Sequence, residues 1–474
     1  MPNQSSPMAP HVLIFPLPLQ GPLNCMLNLA ELLCLAGVGV TFINTDHVHR
    51  RLLACSTSAN YYAKYPNLKF QTVPDGLPEE NPRTADQIGN LIESMEAVAS
   101  PIFRQMVSPD SVSCLIADGI FAFAAEVAGD VGVPLLYFDT ISPCGLWSYL
   151  CMPKLIEDGE FPFPDDDLDK LVPGIPGMEG IIRRRDLPNF YRTDDLNIPI
   201  IQLVLKEAKH IPLAQGLIFN TFQELEAPVL SQFQNISPQI YAVGPLHTHL
   251  KSRSPPPQDR STSIWKEDKS CISWLDSQPS KSVLFVSIGS LAVVTKRQLV
   301  ELWHGLINSG TRFLWVQRPD SVVEDNIPEF DEISLELLKN TKERGFIVKW
   351  APQEEVLAHP AVGGFFTHSG WNSTLESIVE GKPMICWPYF VDQQVNSRFV
   401  EEVWKLGLDM KDKCDRRVIE GMIRELMGSR KEEFSEKADA MAKLARKSVG
   451  HGGSSFLALD CLVEDIKFMR IPRN

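Results

Sequence analysis

The chain has no C-x-x-C pair, no apolar run of bilayer-spanning length, no excess of positive charge and no leader-like start. Each absence excludes something. Residues 1–10 are polar and proline-containing, without a basic stretch followed by an apolar one, so secretion is not expected. The longer apolar runs, such as 12–19 and 361–366, are strand length and contain Pro or Gly, so no integral membrane segment is expected. A formal net charge of −14 disfavours nucleic acid, because binding phosphate backbones needs a positive field. Any anionic ligand must then be held by local groups. The ten cysteines are scattered, and Cys34, Cys114 and Cys386 sit inside apolar segments, where buried free thiols are expected. These readings place the protein in the cytoplasm.

What is present is a sizeable core. A chain of 474 residues with 44% hydrophobic and 22% charged residues suits two large globular domains. Short β-rich runs alternate with helical periods. Strands are expected at 11–17, 40–44, 114–117, 134–138, 217–221 and 240–243, with a helix at 23–35. Residues 247–263 turn rich in Pro, Ser and charge, as a domain linker does. The rhythm then restarts, with strands at 283–287, 312–316, 346–349, 363–367 and 383–387 and helices at 297–306 and 372–379. The expected division is a first domain over 1–247, a linker over 248–263, a second domain over 264–455 and a terminal helix over 456–474. Such alternation predicts an α/β fold with parallel sheets covered by helices.

The segment 350–393 carries the most chemistry. A strand ends at Thr367, residues 368–371 form a tight turn, and a helix begins at Asn372 or Ser373. Helix N-termini expose unpaired amides and the positive end of a dipole, so this geometry suits a diphosphate. His368 and Ser373 would add donors, Gly370 lets the backbone approach a ligand, and Glu376 can accept from paired ribose hydroxyls. The turn alone would equally suit an ordinary loop with a polar cap. Its surroundings argue for more. Trp350 follows a strand where an exposed indole suits a stacked planar base, and Asp392-Gln393 form a carboxylate and amide pair suited to sugar hydroxyls.

This segment resembles the plant secondary-product glycosyltransferase signature of the UDP-dependent glycosyltransferases. The resemblance implies that Trp350 stacks on uracil while the Ala351 backbone pairs with its edge, and that Gln353 and Glu376 hold the ribose. It implies that His368, Asn372 and Ser373 face the diphosphate while Trp371, Asp392 and Gln393 face the sugar. In that family a terminal Gln goes with glucose, so UDP-glucose is the implied co-substrate, with no metal and no other cofactor. Gly289-Ser290 looks like the family's other phosphate contact. The implied architecture is GT-B, with two Rossmann-like domains facing across a cleft and the C-terminal helix packing back on the N-terminal domain. The acceptor would be a small lipophilic molecule, and the enzyme a monomer.

Inverting transfer needs an acceptor oxygen made nucleophilic and aimed at the anomeric carbon. The family's usual base is a His in a Gly-His pair after the first strand, oriented by an Asp from a later strand. Here the pair reads Gly21-Pro22, while Asp118 keeps the Asp position. Asp118 could take the proton itself if the acceptor is acidic or the site raises its pKa. Residues 11–22 and 29–37 also look similar to iridoid glucosyltransferases of the 7-deoxyloganetic acid type, whose hemiacetal acceptor fits that requirement. Phe121, Ser142 and Trp147 come from segments that line the acceptor site in relatives, though each equally suits a core.

Two further signals carry less. Asp165-Asp166-Asp167 and Asp169 contain a D-x-D pattern, but in a proline-flanked acidic loop that reads as solvated. Residues 20–24 lack the G-x-G-x-x-G that a dinucleotide-dependent dehydrogenase needs. The leading expectation is a UDP-glucose-dependent transferase making β-glucosides. The alternative is a UDP-sugar-binding protein with weak or no transfer.

Overall fold

The computed structural model describes residues 9–55, 62–81, 83–84, 87–254, 262–323, 330–341 and 344–469. Residues 255–261 of the expected linker, and most of the polar start, lie outside them. The chain divides into two compact units, one of residues 1–143, 196–264 and 448–474, the other of 144–195 and 265–447.

The first unit is built on a seven-stranded sheet, entirely parallel: β1 (His11–Phe15), β2 (Gly39–Thr45), β3 (Leu68–Val73), β4 (Cys114–Asp118), β5 (Leu135–Asp139), β6 (Gly216–Phe219) and β7 (Ile240–Ala242). The spatial order is β3-β2-β1-β4-β5-β6-β7. The chain first grows outward from β1 through β2 to β3, then crosses back to β4 on the other side. Such a reversal opens a crevice at the carboxyl ends of β1 and β4, where ligands of doubly wound sheets bind. Strands β4 and β5 are buried at every position, as a sheet covered on both faces requires. The terminal helix Ser454–Phe468 belongs to this unit. It buries Leu459, Leu462, Val463 and Ile466, and Tyr241 Oη on β7 donates to Asp465 at 2.6 Å.

The second unit repeats the design with six parallel strands: β8 (Val283–Ser287), β10 (Arg312–Val316), β12 (Gly345–Val348), β13 (Val362–Thr367), β14 (Met384–Cys386) and β15 (Gly407–Asp409). Their order is β12-β10-β8-β13-β14-β15, so the reversal falls between β8 and β13. Short strands β9 (Val294–Thr295) and β11 (Val322–Val323) pair separately. The fold is thus the expected pair of Rossmann-type α/β sheets.

Two local features differ from the sequence expectations. Residues 246–253 are helical, because Leu246, His247, His249 and Leu250 all find buried places on the first unit. Residues 144–195 pack with the second unit. Arg398 Nε donates to the Ile181 carbonyl at 2.9 Å, and the buried Asp186 carboxylate meets Lys411. Among the described residues no helix is long and apolar enough to cross a membrane.

Candidate active site

Both sheet reversals carry the residues singled out by sequence. In the second unit, β8 leads into Gly289-Ser290 and β13 into His368. Between β13 and the helix Trp371–Val379 the chain turns on Ser369, which takes a left-handed φ of 63°, and Gly370, which caps the helix without a side chain of its own. His368 fits there only because two glycines flank it. A Cβ on Gly289 would sit 2.4 Å from His368 Nε2, and one on Gly370 2.5 Å from it. His368 Nδ1 is buried without a hydrogen-bond partner among the described residues. Burial, aided by the charge of Arg318, pulls the imidazole down to a pKa of about 4. At neutral pH it is a neutral ring with one N–H to donate.

Along the first turns of that helix, Gln353 Nε2 donates to Ser373 Oγ at 2.8 Å and to Glu376 Oε2 at 2.7 Å, joining three of the expected donor residues. Asn372 stands beside them, one position into the helix. Ala351 is buried, and the neighbouring Trp350 is half-buried, its carbonyl accepting from Asp268 N at 2.9 Å. Asp392 is buried and accepts from Asn396 Nδ2 at 2.8 Å, while the same amide donates to the Ser369 carbonyl at 2.9 Å. That bridge ties the carboxylate to the turn. Gln393 Oε1 accepts from the backbone N–H groups of Tyr389 and Phe390 at 2.8 and 3.2 Å, which fixes the side-chain amide against its own loop. Trp371 is buried and lies 6.1 Å from the Trp404 ring.

In the first unit, Asp118 ends β4 at the sheet reversal and is buried. Its carboxylate accepts from Thr140 Oγ1 at 3.1 Å, from Ile120 N at 3.3 Å and from Leu17 N at 3.4 Å. These bonds favour the charged form, but burial outweighs them and pushes the pKa up to about 6. Gly21 and Pro22 occupy the first turn of the helix Gln20–Leu35, where a residue without an N–H is tolerated, and the Leu23 N–H donates to the Leu19 carbonyl at 3.0 Å.

The remaining acceptor candidates are not all alike. Phe121 is 1% exposed, its ring stacked 4.9 Å from that of Phe15 within a cluster that includes Phe103 and Phe123. Ser142 is buried in the first unit, and Trp147 lies in the second, its Nε1 donating to the Pro176 carbonyl at 2.8 Å. In the acidic loop, Asp167 pairs with Arg184 and Asp169 with Arg183 and Arg185. Among the described residues no group of three His, Cys, Asp or Glu side chains is arranged for a metal ion.

Two residues near Asp118 escaped sequence reasoning. Glu207 and His210 lie on the helix Pro199–His210, both buried, and His210 Nε2 meets the Gly119 carbonyl at 2.7 Å. Burial first, and the Asp118 charge second, hold the Glu207 carboxyl well above the usual carboxylate range. Glu207 and His210 continue the stripe of Ile201 and Val204 at a spacing of three, and a carboxyl on such a buried stripe is the signal that could have found it.

Comparison with known proteins agrees with this geometry. The family profile described as "UDP-glucoronosyl and UDP-glucosyl transferase" matches residues 263–429. A 7-deoxyloganetic acid glucosyltransferase of Catharanthus roseus is 50% identical, the alignment covering 99% of this chain and 100% of that one. A myricetin 3-O-rhamnoside 1,2-glucosyltransferase of Crocosmia x crocosmiiflora is 42% identical over 98% and 97% of the two chains. The crystal structure of Os79 from O. sativa in complex with UDP superposes with a TM-score of 0.81 at 27% identity, covering 96% of this chain and 100% of that one. Two reversed parallel sheets, a glycine-flanked histidine ahead of a helix, and full-length likeness to these enzymes lead to one conclusion: the chain belongs to the UDP-glucuronosyl and UDP-glucosyl transferase family, and is a UDP-glycosyltransferase of GT-B fold.

Proposed function

We propose that this enzyme is an inverting UDP-glucose-dependent glucosyltransferase that forms β-glucosides on a small plant metabolite with an acidic hydroxyl, an iridoid hemiacetal or a phenol. Trp350 and Ala351 receive the uracil, and Gln353 with Glu376 the ribose. Ser290, His368, Gly370, Asn372 and Ser373 receive the diphosphate. Trp371, Asp392 and Gln393 receive the glucose. A neutral His368 donates to the leaving phosphate as negative charge builds there. The acceptor oxygen attacks the anomeric carbon, the bond to the β-phosphate oxygen breaks, UDP departs, and configuration inverts. UDP-glucose is the co-substrate, without a metal or other cofactor, and the enzyme acts as a cytoplasmic monomer.

The observation that carries the acceptor side is the pairing of Pro22 with a buried Asp118 whose pKa is raised to about 6. A carboxylate of that basicity is a better base than an ordinary Asp, yet suits an acceptor that gives up its proton readily. One relative is named for 7-deoxyloganetic acid and another for a myricetin 3-O-rhamnoside, so the acceptors named differ within this similarity range. Incubation with UDP-glucose and a panel of iridoid hemiacetals, phenols and aliphatic alcohols tests the reading. Glucosides should form on the acidic members; equal turnover of simple alcohols would overturn the acidity argument.

Pro22 favours a second reading, a UDP-sugar-binding protein that transfers slowly or not at all. Calorimetry would then show UDP-glucose binding while no acceptor in the panel speeds UDP release.

A further inference from the structure

Trp265 opens the longer segment of the second unit, ahead of the helix Ser270–Asp276. Its indole lies on that of Trp350, with 5.7 Å between ring centroids and 28° between planes. The hydrogen bond from Asp268 N to the Trp350 carbonyl fastens the same stretch of backbone to the same residue. One side of the Trp350 indole is thereby in contact with another ring. A tryptophan braced in this way keeps its plane, and a base stacking on it need not first order a loose side chain.

Arg318 stands two residues past β10 and is 4% exposed. Its guanidinium lies 5.6 Å from the centre of the Trp265 ring, within cation–π range. Its Nε donates to the Gly289 carbonyl at 3.0 Å and its Nη2 to the Ala292 carbonyl at 2.7 Å. Nη1 donates to Asp320 at 3.0 Å. The fork therefore spans the loop that carries Ser290, a task a lysine's single ammonium cannot perform with the same geometry. The Arg318 charge, shared with Asp320, also reaches His368 in the turn expected to meet a diphosphate, where it helps keep the imidazole neutral.

We propose that Trp265 and Arg318 are positioning residues of the donor site, Trp265 fixing the plane of Trp350 for a pyrimidine base and Arg318 holding the 289–292 loop and its charge toward the diphosphate. The proposal rests on the donor reading above. It assigns the two residues to different parts of one ligand, so their losses have different signatures. Replacing Trp265 weakens everything that carries the base. Replacing Arg318 weakens what carries the second phosphate.

The test is calorimetry of wild type, Trp265→Leu, Trp265→Phe and Arg318→Lys, each titrated with UDP and with UMP. Trp265→Leu should weaken both ligands about tenfold and leave their ratio unchanged, with Trp265→Phe recovering most of the loss. Arg318→Lys should weaken UDP about tenfold while UMP stays within about twofold. A partly unfolded preparation lowers the fitted stoichiometry and not the UDP to UMP ratio, so misfolding cannot imitate the result. Wild-type binding with unchanged affinities in every variant overturns the proposal, as does an Arg318→Lys variant that loses both ligands equally. Wild type that binds neither ligand overturns the donor reading itself.

Discussion

At the scale of single residues, Asp118 is both the candidate base and a cost to the fold. Its pKa in the folded protein, about 6, lies above the ordinary 3.8, so ionising it inside the fold is unfavourable. That penalty is absent at pH values below 3.8, grows as the pH rises toward 6, and is constant above. Glu207, also raised, acts in the same direction. Asp118→Asn should therefore melt higher than wild type at pH 7.5, by up to about 3 kcal/mol of stability, with the difference shrinking as the pH falls to 4. Thermal melts across that range check the sign; a wild type more stable at pH 7.5 would mean that the bonds from Thr140, Ile120 and Leu17 outweigh burial. The same group governs rate. Turnover of a phenolic acceptor should fall as the pH drops through about 6, and Asp118→Asn should slow it by about 10²-fold or more. An unchanged pH–rate profile in the variant would remove Asp118 from the proton's path.

At the scale of elements, the glycines of the donor turn do a different job from the glycines of helices. Gly289 adopts a φ of +77°, and a side chain there would press on His368. Gly289→Ala should weaken UDP binding about five- to thirtyfold, since a left-handed backbone costs a β-carbon about 1–2 kcal/mol, relieved by shifting the turn that holds His368. Gly421, inside the helix Arg416–Arg424, has nothing within 4 Å of the place a methyl group would take. Gly421→Ala should instead raise stability by about 0.5–1 kcal/mol and leave UDP affinity alone. Melts and UDP titrations of the two variants separate the cases, and equal effects on binding would sink the distinction. Legibility follows the same division. Strands β8 and β10 are readable to the residue because each holds four consecutive buried apolar residues, 283–286 and 313–316, with a polar residue at one end. Strand β3 buries only its two ends, and β15 is three residues beginning at a glycine whose Cβ would strike the Met384 carbonyl, so neither shows a period. Likewise the donor residues of 350–393 lie in one continuous motif. Arg318 meets Gly289 across 29 positions and His210 meets Gly119 across 91, distances no local pattern spans.

At the scale of the whole molecule, the chain leaves its first unit, builds most of the second, and returns for its last helix. That helix, Ser454–Phe468, is held by Tyr241 to Asp465, by Arg253 to Asp460 at 3.0 Å, and by Ser454 to Glu224 at 2.8 Å. These contacts are partly exposed and contribute little individually. The buried face contributes more: Leu459, Leu462, Val463 and Ile466 are each worth about 1.5–3 kcal/mol on burial, a sum comparable with the whole net stability of a domain. The first unit is thus completed only by residues more than two hundred positions from its last preceding strand, β7. Leu462→Ala, at a side chain with no exposure, should cost about 2–5 kcal/mol and lower the melting temperature. All proposed donor contacts lie in the second unit, so the same variant, at a temperature below its transition, should bind UDP as wild type does. Loss of UDP affinity in proportion to lost stability would show instead that the two units unfold as one, with the returning helix supporting the donor site as well as its own sheet.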